Sequence, residues 1–84
     1  MKLSILMPVF NEAPTIADVV ARVRAVPLDH EIVLVNDASS DGTHAIVDAL
    51  AGADLKVIHH PINHGKGAAI RTGLVEATGE VIVI

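Results

Sequence analysis

Three short stretches of the 84-residue chain carry side chains able to do chemistry. In Pro8-Val9-Phe10-Asn11-Glu12 a flat apolar ring stands two residues before a carboxylate that can accept from the ring N–H of a base. Pro8, near a strand end, removes a ladder donor and turns the chain. The same residues also read as a plain strand exit into a helix whose acidic first turn suits the macrodipole. In Val35-Asn36-Asp37-Ala38-Ser39-Ser40-Asp41-Gly42-Thr43, Asp37 leaves a strand tip, where a carboxylate can take hydrogen bonds from a nucleobase or ribose. Asp41, Gly42 and Thr43 have the spacing of a helix cap.

The third stretch, Asn63-His64-Gly65-Lys66-Gly67-Ala68-Ala69, sets a glycine-flanked lysine at a helix N-terminus, where anions are stabilised. It is not a Walker loop, because Gly67 follows Lys66 where Ser or Thr is needed. A dinucleotide fingerprint fails too, since Ile70 stands where the third Gly or Ala belongs. Read blandly, the stretch is a flexible turn with a solvated lysine. His59, His60 and His64 raise the question of a metal, but strand geometry sends His59 and His60 to opposite faces and no cysteine joins them. Their spacing assigns no metal site.

Regular elements must hold these loops. Leu3–Val9, Glu31–Asn36, Leu55–His59 and Val81–Ile84 are near-continuous apolar runs of strand length, the pattern of parallel strands covered on both faces. Between them, Ile16, Val19, Val20 and Val23 fall at helical spacing, with Pro14 suited to the first turn and Pro27 ending the segment. A second helix is capped by Asp41, buries Ile46, Ala49 and Leu50 and stops at Gly52. A third, from about Lys66 to Ala77, turns Ala69, Ile70, Gly73, Leu74 and Ala77 inward. Helices of about ten to fourteen residues are expected. The order βαβαβαβ predicts an α/β, Rossmann-like parallel sheet with right-handed crossovers and helices on both faces. Ligands of such sheets bind beyond the carboxyl ends of the strands, where the three loops lie.

Composition narrows the function classes. The chain is 51% apolar and 19% charged, with net charge −4, mean hydropathy +0.54 and a pI near 5.6. An acidic chain with Phe10 as its one aromatic and no Lys/Arg cluster lacks the equipment of a nucleic-acid binder. Zero cysteines exclude disulfides and thiolate chemistry. No apolar run approaches the ~20 residues of a membrane span. One domain is the ceiling, and at this size folding hides only about 60–65% of the unfolded chain's surface, so stability is expected to be slim. The chain stops on its most apolar stretch with no turn or cap, the pattern expected of the front part of something longer.

Taken together, Ser4 to Glu12, Glu31 to Thr43, Asn63 to Gly73 and Ala77-Thr78-Gly79-Glu80 resemble, in order and spacing, the family 2 glycosyltransferases. The likeness runs through the whole chain and is strongest to the dolichol-phosphate mannose synthase and polyprenyl-phosphate glycosyltransferase branch. It implies that residues 1–84 are the nucleotide-sugar-binding, N-terminal half of a GT-A fold. By position, Pro8, Phe10 and Glu12 match the family's first nucleotide-contact motif, and Val35 and Asp37 match the pair that holds base and ribose. Asn36 stands where the family more often has Asp, and Lys66 sits in the glycine loop near nucleotide or phosphate. The resemblance also implies sheet order 3-2-1 with the Val81–Ile84 strand beyond Leu3–Val9.

The activity implied is transfer of a sugar from a GDP- or UDP-sugar to a polyprenyl or dolichyl phosphate. Mg²⁺ or Mn²⁺ would be held by an Asp-x-Asp motif that this chain does not contain, so the 84 residues are expected to bind nucleotide and be inactive alone. The implied setting is the cytoplasm or the cytoplasmic face of a membrane, and the bare apolar last strand is expected to join two copies into a homodimer. Rival readings are a non-catalytic nucleotide-binding or regulatory α/β module and a nucleotidyltransferase. A receiver domain needs a phosphorylatable Asp after the third strand, where His59-His60 stand. A nucleotidyltransferase opens with a glycine-rich, arginine-bearing loop that Phe10-Asn11-Glu12 does not match.

Overall fold

The computed structural model describes residues 1–84 and contains β1 (Leu3–Val9), α1 (Ile16–Arg24), β2 (His30–Asn36), α2 (Thr43–Leu50), β3 (Leu55–His59), α3 (Lys66–Glu76) and β4 (Val81–Val83). All four strands are parallel, in the order β3-β2-β1-β4. The alternating order and the implied sheet order are therefore as expected. β1 pairs with β2 along its whole length, from Leu3↔His30 to Val9↔Asn36, which brings the ends of both strands to one level. That level is where the first two loops begin.

β2 is one of the two interior strands, with β1, and Ile32 to Asn36 are all buried. Because successive side chains alternate between faces, Ile32 and Leu34 point to one side. There they pack with Val9, Ile16 and Val20 of α1, Val47 of α2 and Leu55. Val33 and Leu6 belong to the other side, where α3 lies so close that a Cβ on Gly73 would stand 3.3 Å from Leu6 Cδ2. The sheet is thus coated on both faces.

α1 and α2, at nine and eight residues, are shorter than expected, while α3, at eleven, falls within the expected range; the buried stripes are narrower. In α1, Ile16 and Val20 are buried while Val19 is 42% exposed. In α2, Val47 takes the core position expected of Ala49, which is exposed. In α3, Ala69 and Gly73 form the buried row and Leu74 is 46% exposed. Two small residues four apart let α3 approach β1 closely, and with Gly73 against the sheet its neighbour Leu74 faces outward. β4 is one residue shorter than expected, and all three of its residues are exposed.

Candidate functional site

The β1–α1 and β2–α2 loops are laced together before either helix begins. Asn11 N–H donates to Ser39 Oγ at 2.9 Å and Ser40 N–H returns a bond to Asn11 Oδ1 at 2.8 Å. Glu12 N–H donates to Thr43 Oγ1 at 3.1 Å. Asp41, expected as a cap, accepts Thr43 N–H on Oδ1 and Ala13 N–H on Oδ2, each at 3.1 Å, so it ties two loops while Gly42 takes the N-cap position. Asn11 and Ala38 adopt left-handed φ of 52° and 61° to make these crossings.

The third loop is tied down by Asp37, which is only 3% exposed. Asp37 Oδ1 accepts His60 Nδ1–H at 2.8 Å and the His64 backbone N–H at 2.9 Å, and Oδ2 accepts Gly65 N–H at 2.8 Å. Asn63 Nδ2 donates to the Asp37 carbonyl at 3.3 Å. His60 is held from its far side by the Thr72 hydroxyl, 2.8 Å from Nε2. Burial pushes the Asp37 carboxyl up, but the donors from His64, His60 and Gly65 outweigh it and hold the group below the usual carboxylate range. Gly65 sits at φ +92°, a conformation that side chains rarely adopt. Its amide can meet Asp37 because no Cβ resists that turn.

Between the three loops opens a cleft of about 430 Å³, lined by Pro8, Phe10, Glu12, Asp37, Asn63, Gly65, Lys66 and neighbouring apolar atoms of Val9 and Ala69. Five of the six residues singled out in the sequence, Pro8, Phe10, Glu12, Asp37 and Lys66, therefore meet in one place. Val35 does not: it is 1% exposed inside β2, and its side chain faces the interior rather than the cleft. Phe10 is 47% exposed, leaving a ring face free. Glu12 accepts the Thr15 hydroxyl on Oε2 at 3.0 Å. Lys66 opens α3, whose first-turn N–H groups have no partner within the helix. An aromatic face, a carboxylate and a cationic helix start are suited to a base, its polar edge and a phosphate in turn.

The cleft does not itself suit a divalent cation. Its two carboxylates are Glu12 and Asp37, and beside three N–H donors Asp37 keeps a single lone pair, on Oδ2, too few oxygen ligands for the shell of such an ion. Elsewhere, no helix is long and apolar enough to cross a membrane.

Sequence reasoning singled out the third loop but missed His60 as the partner of Asp37, because the two lie 23 residues apart. The available signal was topological: both follow the last residues of neighbouring strands, Asn36 and His59, which are in register.

Comparison with known proteins points one way. The chain is 38% identical to a bactoprenol glucosyl transferase of Shigella phage SfX over 99% of its own length and 29% of that enzyme's. It thus spans about 29% of the curated relative. Its fold superimposes on the mannosyltransferase PcManGT from Pyrobaculum calidifontis in complex with GDP-Man and Mn²⁺, with TM-score 0.86 and 31% identity, covering 95% of this chain and 25% of that one. The Staphylococcus aureus TarS 1–349 structure in complex with UDP aligns with TM-score 0.86 and 28% identity, covering 98% and 26%. The model of glycosyl transferase family 2 matches residues 4–84. With that match spanning both faces of the sheet and all three loops of the cleft, the chain belongs to glycosyl transferase family 2.

Proposed function

We propose that residues 1–84 form the nucleotide-sugar-binding part of a glycosyltransferase that moves a sugar from a GDP- or UDP-sugar to a polyprenyl phosphate. The observation that carries this reading is the convergence of Phe10, Glu12, Asp37 and Lys66 on one cleft beyond the strand ends. In this reading Phe10 stacks on the base, and Glu12 takes a polar hydrogen of the base or ribose. Asp37 offers the lone pair left on Oδ2 after the Gly65 bond. Lys66 and the start of α3 attract the diphosphate. The donor class is supported by the GDP-Man and UDP complexes of the two structural neighbours, and the acceptor class by the bactoprenol glucosyl transferase likeness.

A divalent cation, Mg²⁺ or Mn²⁺, belongs to this reading through the Mn²⁺ of the mannosyltransferase complex. Its ligands come from outside these 84 residues. The isolated chain therefore binds nucleotide and transfers no sugar. Work at the cytoplasmic face of a membrane follows from a lipid-linked acceptor. The bare apolar edge of β4 is also proposed to pair with a second copy of the chain.

Calorimetric titration of UDP, GDP and the corresponding nucleosides tests the site. Glu12→Ala is expected to weaken nucleotide and nucleoside alike by about 1–3 kcal/mol. Lys66→Ala is expected to weaken only the diphosphates, by about 1 kcal/mol for a solvent-exposed charge. Lys56→Ala, on β3, changes nothing. Equal affinities across the three variants would remove the assignment.

A further inference from the structure

On the face of the sheet covered by α1 and α2, away from the cleft, three side chains with metal-ligand chemistry converge. His44 and Asp48 lie four residues apart on α2 and so share one side of the helix. His59, at the end of β3, comes up beside them. The single carboxylate reaches both rings: His59 Nε2–H donates to Asp48 Oδ1 at 2.7 Å, and His44 Nε2 stands 3.3 Å from Asp48 Oδ2. The two imidazoles are stacked, 3.7 Å between centroids and 9° from parallel, so their in-plane lone pairs do not meet at one point, and the exposed His44 ring has to turn off the stack to share an ion with His59. One ligand atom from each residue falls within 4.8 Å of the others. His44 and Asp48 are exposed and His59 is half-buried, so an ion can reach them.

His59 is also oriented from behind. Its Nδ1 accepts a hydrogen bond from Asn36 Nδ2 at 3.0 Å. Asn36 is 1% exposed and is itself held through Oδ1 by the Ser39 hydroxyl at 2.6 Å and the Ser39 N–H at 3.3 Å. Metal-bound histidines are oriented by donating the far N–H to such a fixed group, so Asn36 can hold a metal-bound His59 once Nδ1 changes from acceptor to donor. Beside the trio lies an open hollow of about 460 Å³, bounded by His44, His59, Asn36 and Ser39, with room for water ligands.

We propose that His44, Asp48 and His59 bind one borderline divalent cation of the Zn²⁺ type, at a site separate from the nucleotide cleft. Two imidazoles and one carboxylate match the N/O donor set of Zn²⁺, whereas Mg²⁺ and Ca²⁺ favour shells of oxygen. The ion takes the place of the proton between His59 Nε2 and Asp48. That proton moves to Nδ1, which then donates. Asn36 turns its amide to present Oδ1 to the ring and gives Nδ2–H to the Ser39 hydroxyl, and the long Ser39 N–H bond is released. The adjustment occurs one residue before Asp37.

The test is a titration of zinc chloride into the 84-residue chain against a chromophoric chelator, repeated in excess Mg²⁺. One ion per chain is expected, with affinity lowered at least about tenfold in His44→Gln, Asp48→Asn and His59→Gln and unchanged in His30→Gln. Imidazole ¹⁵N spectra should show His59 passing from Nε2–H to Nδ1–H as the ion binds. Absence of saturable binding, undiminished affinity in the exposed His44→Gln variant, displacement by Mg²⁺, or an unchanged His59 tautomer at saturation would each overturn the proposal. Should His59→Gln fail to fold, the His44→Gln titration and the tautomer signal still decide.

Discussion

Asp37 shares its charge among three N–H donors while sitting almost out of water, so the third loop keeps its shape only as long as that carboxylate does. Asp37→Asn tests this at the scale of one atom. The amide oxygen can serve one set of donors, but its NH₂ must then face another N–H, leaving a buried donor without a partner. Unfolding by urea is expected to show a loss of about 1–3 kcal/mol with an unchanged slope. A variant as stable as the parent would show that the loop is held by other means. The importance of Asp37 was legible in the sequence because a carboxylate at a strand tip has few structural excuses. Its partners were not legible, because two of the three are backbone amides, which no side-chain pattern announces. The left-handed Ala38 was equally hidden, since nothing in an alanine signals positive φ.

At the scale of elements, the link between α3 and β4 is anchored by Glu31. Glu31 Oε2 accepts the Ser4 hydroxyl at 2.5 Å, Thr78 N–H at 2.6 Å and the Thr78 hydroxyl at 2.9 Å, and Gly79 N–H donates to Ser4 Oγ at 2.7 Å. Burial pushes the Glu31 carboxyl up, but the Ser4 and Thr78 donors and nearby Lys2 bring it down from the usual 4.5 to about 2. A carboxyl lowered by folding adds stability that is present above pH 4.5 and lost as pH falls through 2. Allowing for solvent at this half-buried group, the amount is on the order of 2 kcal/mol. Acid unfolding of Glu31→Gln should lack that component between pH 4.5 and 2; a parallel pH profile for the two proteins would contradict it. Gly79 belongs to the same joint: a Cβ there would come 2.6 Å from Ser4 Oγ and 2.7 Å from Ser4 N. Gly79→Ala is therefore expected to cost about 1–3 kcal/mol in denaturant unfolding, since backbone has to shift. Element order and the bounds of β1 and β3 could be read from apolar runs and punctuation. The facing of α2 and α3 could not, because Ile46-Val47 and Gly73-Leu74 offer adjacent apolar or small candidates. Packing against the sheet, not periodicity, chooses between them.

For the whole molecule, the strand order leaves β3 and β4 at the two edges, and the two are guarded differently. β3 carries Lys56, paired with Glu76 at 3.3 Å, and ends in His59. β4 carries no charge: Val81, Ile82 and Val83 are 38%, 39% and 42% exposed, and Ile84 beside them is 66% exposed. Its outer backbone groups have no strand to pair with, since β4 is hydrogen-bonded to β1 alone. A flat apolar edge without charge or proline is a template for another strand. The nearby hollow of about 500 Å³ adds Ile5, Val23, Val26 and Val83 to the same apolar side. A two-fold axis perpendicular to the edge strand would set β4 antiparallel to its copy, satisfying both backbones and covering both hollows with one self-complementary surface. Sedimentation equilibrium at micromolar concentration is expected to give twice the 8.8 kDa of the chain. Val83→Lys, which places an ammonium on the pairing edge, should return it to monomer while leaving the circular dichroism spectrum intact. A parent chain that stays monomeric and unfolds cooperatively would show that three exposed strand residues are too few to recruit a partner.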